Sequence, residues 1–429
     1  MSQPRRSRDA TAPKGSRPRP TRDVVEFIWQ HAPVSQLEII EQTQLSRGTV
    51  STVLKRLRER ELVVPVDKDH SSVGPEGGRP TERLTLRGDA AKALCIDVGR
   101  RHVDVALGDP SGIQASLSSP EMSVADDARA ALTEAVRLVN TLLSEQVPVV
   151  QPEDLVGVCV GVPAPVDHYR DQLASTLGLN TWTGLRPAKE LRRRLGPAWD
   201  DAYFVLENDA TLRALAELSF GAARKHADDP DHTVMSWKWS DGIGGALIHG
   251  NHVFTGWRGL AGEVGHTCIP DPDPDIDDCP RCGHKCVEAH AGGRALMRRV
   301  ENSRNGSSPE YFSDLIARAV GEDGLERQVM RDAAVRVGQA MGCHINAANP
   351  RLVIIGGRPF VDSKVDVAAY ALIGDAVRDG WRQTGFPACI EDVELVLSKR
   401  GRLTSAEGGI VRVLRSGLTN HLERRLQTA

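Results

Sequence analysis

Three of the eight cysteines stand close together, in Cys279-Pro-Arg-Cys282-Gly-His-Lys-Cys286. That spacing can bring three thiolates around one tetrahedral ion. A fourth ligand is needed to close the shell. His266, thirteen positions before Cys279 in Glu263-Val-Gly-His266, is the first choice, with His284 and Cys268 as alternatives. Thiolates with one imidazole favour zinc, and a closed Cys3His shell leaves no position for a reacting water, so a structural Zn2+ is expected. Cys95, Cys159, Cys343 and Cys389 lie in or beside apolar runs and read as inert core thiols. The five aspartates between 271 and 278 lack the glycine and terminal glutamate of an EF-hand and read as a solvated loop. A second chemical surface lies on the segment 47–60. Arg47, Gly48, Thr49, Ser51, Thr52 and Lys55 fall opposite the apolar stripe Val50, Val53, Leu54 and Leu57. Short polar side chains let a helix approach base edges, while Arg47 and Lys55 can reach guanine or phosphate.

The flanking sequence supplies what such a helix needs. Val24, Phe27 and Ile28 recur at helical spacing from 21 to about 31. Ser35 and Glu38 form a capping box for a second helix, with Leu37 and Ile40 expected on its buried side. Ser46 caps the third. Leu62-Val63-Val64 reads as a strand, the Gly/Pro-rich segment 71–80 as a loop, and 81–86 as a second strand. Residues 21–88 are thus expected to be an α+β winged helix-turn-helix domain, with Arg79 at the wing tip placed to enter a minor groove. Residues 1–20 hold six basic side chains against Asp9 and four prolines, and read as a disordered basic arm.

The overall net charge of −3 conceals this organisation. Residues 1–88 carry 16 basic and 11 acidic side chains, leaving 38 basic and 46 acidic for the remainder. Phosphate contacts are therefore expected in the head alone. No apolar run approaches the ~18 residues that span a bilayer, and the N-terminal segment lacks the apolar core of a secretory signal. A cytoplasmic protein without membrane contact is expected.

Residues 89–429 read as an α/β body. Strands at 93–98, 103–107 and 156–160 accompany a helix at 126–143. Strands at 234–239, 245–248 and 352–355 follow, with long helices from about Glu288 and Glu326. Two mixed lobes with a cleft between them are implied. Glycine turns close several strands, at Asp97-Val98-Gly99, at Asp241-Gly242-Ile243-Gly244-Gly245 and at Gly356-Gly357. Such turns allow close backbone approach to a phosphate.

Glu263-Val-Gly-His266, the cysteine cluster and Glu288 together resemble the signature of the ROK family of repressors, open reading frames and sugar kinases. A winged helix before such a body is the layout of its repressor branch. The family usually writes C-x-C-G-x-x-G-C, so the middle cysteine here is displaced by one. The resemblance implies a two-lobed actin-like ATPase (ribonuclease H-like) body, with the metal cluster near 266–288 and a sugar site between the lobes. It implies sugar contacts at Asn180, Asn208, Asp209, Glu263, His266 and Glu288. Trp182 could offer its ring face to sugar C–H groups, and one ring nitrogen of His266 would bind zinc while the other meets a hydroxyl.

In the family's kinases Asp209 would be the general base. Their first phosphate loop reads Asp-x-Gly-Gly-Thr, whereas this chain has Asp97-Val-Gly-Arg100-Arg101. Their second has Gly-Thr-Gly, whereas this chain has Ser240-Asp241-Gly242, and a carboxylate beside a phosphate costs affinity. No catalytic residue is therefore assigned. The expectation is a regulator released from palindromic operator DNA by a sugar or sugar phosphate, acting as a homodimer or tetramer. An ATP-dependent sugar kinase with a DNA-binding head and a ligand-deaf DNA-binding dimer are the alternatives.

Overall fold

The structure, a computed structural model, describes residues 20–66, 82–227, 229–303, 309–321, 324–362, 367–398 and 400–427. The basic arm up to residue 19 and the wing tip with Arg79 lie outside them.

The head is built from α1 (Pro20–His31), α2 (Gln36–Thr43) and α3 (Arg47–Glu59). Val24, Val25, Ile28, Ile39, Val50, Leu54 and Leu57 form its buried centre. The capping box is present. Ser35 Oγ accepts from the Glu38 N–H at 3.2 Å, and Glu38 Oε2 accepts from the Ser35 N–H at 2.6 Å. Ser46 Oγ accepts from the Thr49 N–H at 3.1 Å and starts α3. Strand β1 (Val34–Ser35) lies beside β3 (Arg83–Leu86), which pairs with β2 (Val63–Pro65), Val63 facing Leu86. One expectation is corrected here. Leu37 is 60% exposed, while Ile39 takes the buried position and Ile40 is half-buried. Val34 is held in the sheet, and this sets the phase of the two-turn helix that follows.

Lobe I begins with the antiparallel meander β4 (Lys92–Val98), β5 (Val103–Asp109) and β6 (Gly112–Ser118). Helix α4 (Ala128–Ser144) returns the chain to β7 (Leu155–Val162), which pairs parallel to β4. A small hairpin, β8 (Val166–Asp167) and β9 (Gln172–Leu173), and helix α5 (Pro187–Leu195) precede β10 (Phe204–Asn208), parallel to β7. The sheet order is β10-β7-β4-β5-β6. Every residue of β7 is buried, as a strand covered on both faces requires. Helix α6 (Asp209–Phe220) leaves the end of β10 and leads into lobe II.

Lobe II repeats the plan. Its meander is β11 (Thr233–Trp239), β12 (Ile243–His249) and β13 (His252–Phe254). Helices α7 (Val287–Ala291), α8 (Gly293–Ser303), α9 (Phe312–Gly321) and α10 (Leu325–Ala348) precede β14 (Leu352–Gly356). Helices α11 (Arg358–Asp362), α12 (Val367–Thr384) and α13 (Pro387–Ile390) precede β15 (Glu394–Leu397). The order β13-β12-β11-β14-β15 matches lobe I strand for strand. The long helix expected from Glu288 is instead two helices broken at Gly292. Close packing holds the break, because a Cβ on Gly292 would lie 2.7 Å from the Glu288 carbonyl oxygen.

The chain then returns to lobe I as α14 (Thr404–Gln427). Gly408 and Gly409 allow its approach. A Cβ on Gly409 would stand 2.2 Å from Cys95 Sγ, and one on Gly408 would stand 1.7 Å from the Leu212 carbonyl oxygen. Ile410, Leu414, Leu418 and Leu422 of α14 share one apolar cluster with Val24, Val25 and Ile28 of α1. Arg425 Nη1 donates to the Ala90 carbonyl at 2.6 Å, at the entrance to lobe I. Head and lobe I therefore have a common core, and lobe II is inserted between α6 and α14. No helix among the described residues is long and apolar enough to cross a membrane.

Candidate ligand cleft, metal cluster and DNA-facing helix

The ends of β4, β10, β11 and β12 meet where the lobes face each other. Asn208 caps α6. Its Oδ1 accepts from the Ala210 and Thr211 N–H groups and its Nδ2 donates to the Ala164 carbonyl. Both ends of this amide are engaged, and its Nδ2 carries a second hydrogen. Asp209 opens α6 and is nearly buried, and its Oδ2 receives Lys238 Nζ at 2.5 Å. Asp97, at the end of β4, is buried. Burial first, then the nearby Asp209 and Asp104 charges, push its carboxyl up to about 7.

On the lobe II side, Glu263 precedes the single turn Val264–His266. Protein crowding around its carboxyl pushes it up to about 7; Glu288 and Asp209 add to this, and Arg281 opposes it. Glu288 lies in the first turn of α7. Its Oε2 accepts from the Ile243 N–H at 2.8 Å, and its Oε1 is 3.5 Å from Arg281 Nη1. Gly242 permits this closeness, since a Cβ there would stand 2.6 Å from Glu288 Oε2. From lobe I, Arg100 reaches toward Gly178 and donates to its carbonyl at 3.3 Å. Asn180 is exposed two residues further on. Further bridges span the lobes. Asp167 binds Arg258, and the Tyr311 hydroxyl donates to Glu121 at 2.8 Å while Arg101 pairs with Glu121 and lies over the Tyr311 ring.

Trp182 is corrected. It is 1% exposed, packed in the core of lobe I, with its Nε1 donating to the Val124 carbonyl at 2.8 Å. A ring so enclosed cannot face a ligand. Sequence reasoning also missed Lys238, Arg281 and Arg294. Lys238 had a visible signal, as a lone cation between Trp237 and Trp239 in a strand with no other charged residue.

The structure brings His266, Cys279, Cys282 and Cys286 together, with one donor atom from each lying within 4.8 Å of the others. His266 Nδ1 is 3.8 Å from Cys279 Sγ and 3.7 Å from Cys286 Sγ. These four can hold a metal ion. Burial, with Cys279 and Cys282 close by, pushes the Cys286 thiol well up when no cation is present. Of the two alternatives, Cys268 is exposed and His284 contributes backbone, its carbonyl accepting from the Cys279 and Cys286 N–H groups. Of the four thiols expected in the core, Cys95 and Cys159 are buried, Cys389 is half-buried and Cys343 is exposed.

On α3, Arg47, Gly48, Ser51, Thr52 and Lys55 are exposed and Thr49 is half-buried. Thr49 Oγ1 lies 2.8 Å from Ser46 Oγ, and Thr52 Oγ1 donates to the Gly48 carbonyl at 2.9 Å. Lys55 is 3.8 Å from Glu59. Arg56 extends the same exposed surface.

A two-lobed, internally duplicated α/β body with a polar cleft, carrying a winged helix, defines a ligand-binding actin-like protein with a DNA-binding head. The pattern of the ROK family matches residues 93–365, and that of winged helix-turn-helix DNA-binding domains matches residues 19–64. The chain belongs to the ROK family. The xylose repressor of Bacillus subtilis (strain 168) is 25% identical over 340 residues, covering 77% of this chain and 80% of the relative. The DNA-binding transcriptional dual regulator NagC of Escherichia coli (strain K12) is 26% identical over 351 residues, covering 78% and 79%. Among solved structures, a ROK family transcriptional regulator described as a homologue of the E. coli MLC protein has a TM-score of 0.70 at 19% identity, covering 95% of this chain and 98% of that one. A ROK family glucokinase from Streptomyces griseus, in complex with glucose and AMPPNP, has a TM-score of 0.59 at 21% identity, covering 75% and 98%. At these identities the structural likeness speaks to the fold alone.

Proposed function

We propose that this chain is a sugar-responsive transcriptional repressor. The head holds operator DNA through Arg47, Gly48, Thr49, Ser51, Thr52 and Lys55, with Arg79 of the wing in the minor groove. The cleft binds the sugar through Asn180, Asn208, Asp209, Glu263, His266 and Glu288, with Asn208 also fixing the start of α6. Carboxylates and amides that accept and donate at neighbouring hydroxyls suit a polyol. Helix α14 is the observation that carries the reading. Arg412 Nε, in its first half, binds Glu207 Oε2 at 3.2 Å beside Asn208 and Asp209. Its second half shares the apolar core of the head. One rigid element thus touches both the ligand cleft and the DNA-binding domain. Sugar closes the lobes, the bodies of a homo-oligomer rotate, and two winged helices lose register with palindromic half-sites.

The cleft favours sensing over catalysis. A general base must be free to take a proton, and here Lys238 holds Asp209. Arg100, Arg101 and Asp241 replace the small residues of a phosphate cradle. The metal cluster supports a structural zinc site. Zinc–sulfur bonds of about 2.3 Å and a zinc–nitrogen bond of about 2.0–2.1 Å imply a histidine–sulfur tetrahedral edge of about 3.5–3.6 Å, and the two histidine–sulfur separations of 3.8 and 3.7 Å lie close to it. When bound, zinc would cross-link the 266–286 segment and orient His266, leaving its Nε2 for a hydroxyl. A repressor that holds operator DNA would work in the cytoplasm.

The test is operator binding titrated with a panel of sugars. One sugar should lower operator occupancy at micromolar to millimolar concentration. If no sugar changes occupancy, the proposal fails. Sugar-dependent ADP release from ATP, abolished by Asp209→Asn, would establish the kinase reading instead.

A further inference from the structure

Asp97 of β4 and Asp104 of β5 stand directly opposite each other in the antiparallel ladder of lobe I. Opposed residues of such a pair project to the same face, with Cβ atoms about 4.5–5.5 Å apart, and like charges there repel. Both are buried, Asp97 at 7% exposed and Asp104 at 1%. His102, in the turn between the two strands, joins them. One donor atom from each of Asp97, His102 and Asp104 lies within 4.8 Å of the others.

The protein's own groups satisfy this trio only in part. Asp104 Oδ1 receives Arg402 Nη2 at 3.1 Å. Asp104 Oδ2 is buried and has no hydrogen-bond partner among the described residues, although His102 Nε2 is 3.3 Å away. A buried carboxylate oxygen left in that state carries an uncompensated desolvation cost. Asp97 is crowded by burial and then by the charges of Asp209 and Asp104; Lys238, which opposes them, is already held by Asp209. Two glycines clear the space for these side chains. A Cβ on Gly99 would stand 2.6 Å from His102 Nε2, and one on Gly161 would stand 2.9 Å from Asp97 Oδ1. The Gly99 N–H donates to the His102 carbonyl at 2.9 Å and closes the turn that carries the imidazole.

A cation bound by nitrogen and oxygen at about 2.0–2.2 Å holds its ligand atoms about 3.0–3.5 Å apart, and the separation of His102 Nε2 from Asp104 Oδ2 lies in that range. An imidazole among the donors disfavours Mg2+ and Ca2+, which take oxygen ligands. One imidazole with two carboxylates, and no thiolate, suits a borderline ion. Of the phosphate-loop pattern Asp-x-Gly-Gly-Thr only Asp97 and Gly99 are kept here, and His102 and Asp104 lie beyond it. We propose that Asp97, His102 and Asp104 hold a divalent first-row transition-metal ion, Mn2+ or Zn2+, at a second metal site in lobe I. The cysteine cluster of lobe II is a separate site with softer ligands. A cation in lobe I would remove the repulsion across β4 and β5 and leave Asp104 Oδ2 satisfied. This inference does not depend on the sugar-sensing reading.

The experiment uses the full chain, purified with zinc present, and Mn2+ as the probe. Calorimetry counts the sites, pulsed electron paramagnetic resonance reads the ligands, and elemental analysis follows the zinc. About one Mn2+ should bind per chain without loss of zinc, and its spin should couple to an imidazole nitrogen. Added Zn2+ should displace it, and Mg2+ should compete poorly. His102→Gln should abolish the nitrogen coupling and weaken Mn2+ binding by at least about 10- to 100-fold, the loss that even an outer-shell partner causes. Asp104→Asn should weaken it as much, and His102→Gln, at a partly exposed position, carries the test alone if Asp104→Asn does not fold. No Mn2+ binding, or binding without nitrogen coupling, overturns the inference. Binding unchanged in His102→Gln, or Mg2+ bound as tightly as Mn2+, also overturns it, as does Mn2+ uptake matched by an equal loss of zinc.

Discussion

If α14 makes head and lobe I one cooperative unit, a cavity in α14 must loosen the head. Leu422 is fully buried in the cluster that includes Val24, Val25 and Ile28. Leu422→Ala deletes three carbons. The lost transfer free energy is about 2.4 kcal/mol at about 0.8 kcal/mol per carbon. The cavity adds about 1.5–2 kcal/mol if the surroundings do not collapse. The total is about 4 kcal/mol. For a unit of this size that lowers its melting temperature by about 8–16 °C. It should also speed opening-limited amide exchange in α1 by up to about three orders of magnitude. Exchange measured by mass spectrometry reads α1 directly. Leu315→Ala, in the separate apolar core of lobe II, is the control and should leave α1 protection nearly unchanged. Unchanged α1 protection in Leu422→Ala, together with a destabilised body, would show that the head folds independently and would refute the coupling argument.

Two further outcomes are expected. His421 of α14 is buried, its Nε2 has no hydrogen-bond partner among the described residues, and burial with Arg425 and Arg424 nearby pulls it down to about 4. Its ordinary value is near 6.5, so between those values the unfolded chain binds the extra proton. Its contribution to stability is complete above about pH 6.5 and declines as the pH falls toward 4; denaturant melts of His421→Phe should show a shallower decline than the parent over that window. For the metal cluster, elemental analysis should find about one zinc per chain, lost in Cys286→Ala because removal of a thiolate opens the shell; full retention of zinc in that variant would exclude the His266–Cys286 set.

What could be read from residues alone was whatever their own chemistry or local spacing dictates. Three cysteines within eight positions announce a metal site, and Ser35 with Glu38 or Ser46 before an apolar stripe announces a helix start. The phase of α2 was misjudged because a two-turn helix holds too few apolar residues to define a face, and Leu37 and Ile39 are equally apolar. Strand β6 went unseen because its Gly112–Ser118 sequence has the mixed polarity of an edge. Trp182 was misplaced because an indole serves equally well in a core or on a sugar, and only its hydrogen bond to Val124, 58 residues away, decides between them. The meeting of three arginines beside Gly178 was legible in part. Arg100 stands out in its loop, but its convergence with Arg281 and Arg294 depends on the two lobes closing on each other.

The insertion of lobe II between α6 and α14 also sets an order of manufacture. A ribosome completes β4 through β10 and the winged head long before it reaches α14, and all of lobe II emerges in between. Until then the sheet of lobe I has one face bare, with Cys95 and Cys159 uncovered where Gly409 will lie. The nascent head is equally without its partner. A polypeptide cut short anywhere in lobe II would carry a recognition helix whose domain lacks the α14 part of its apolar core, so it would hold DNA poorly and could not answer to sugar. Regulation by this protein therefore begins only when α14 has been made and docked.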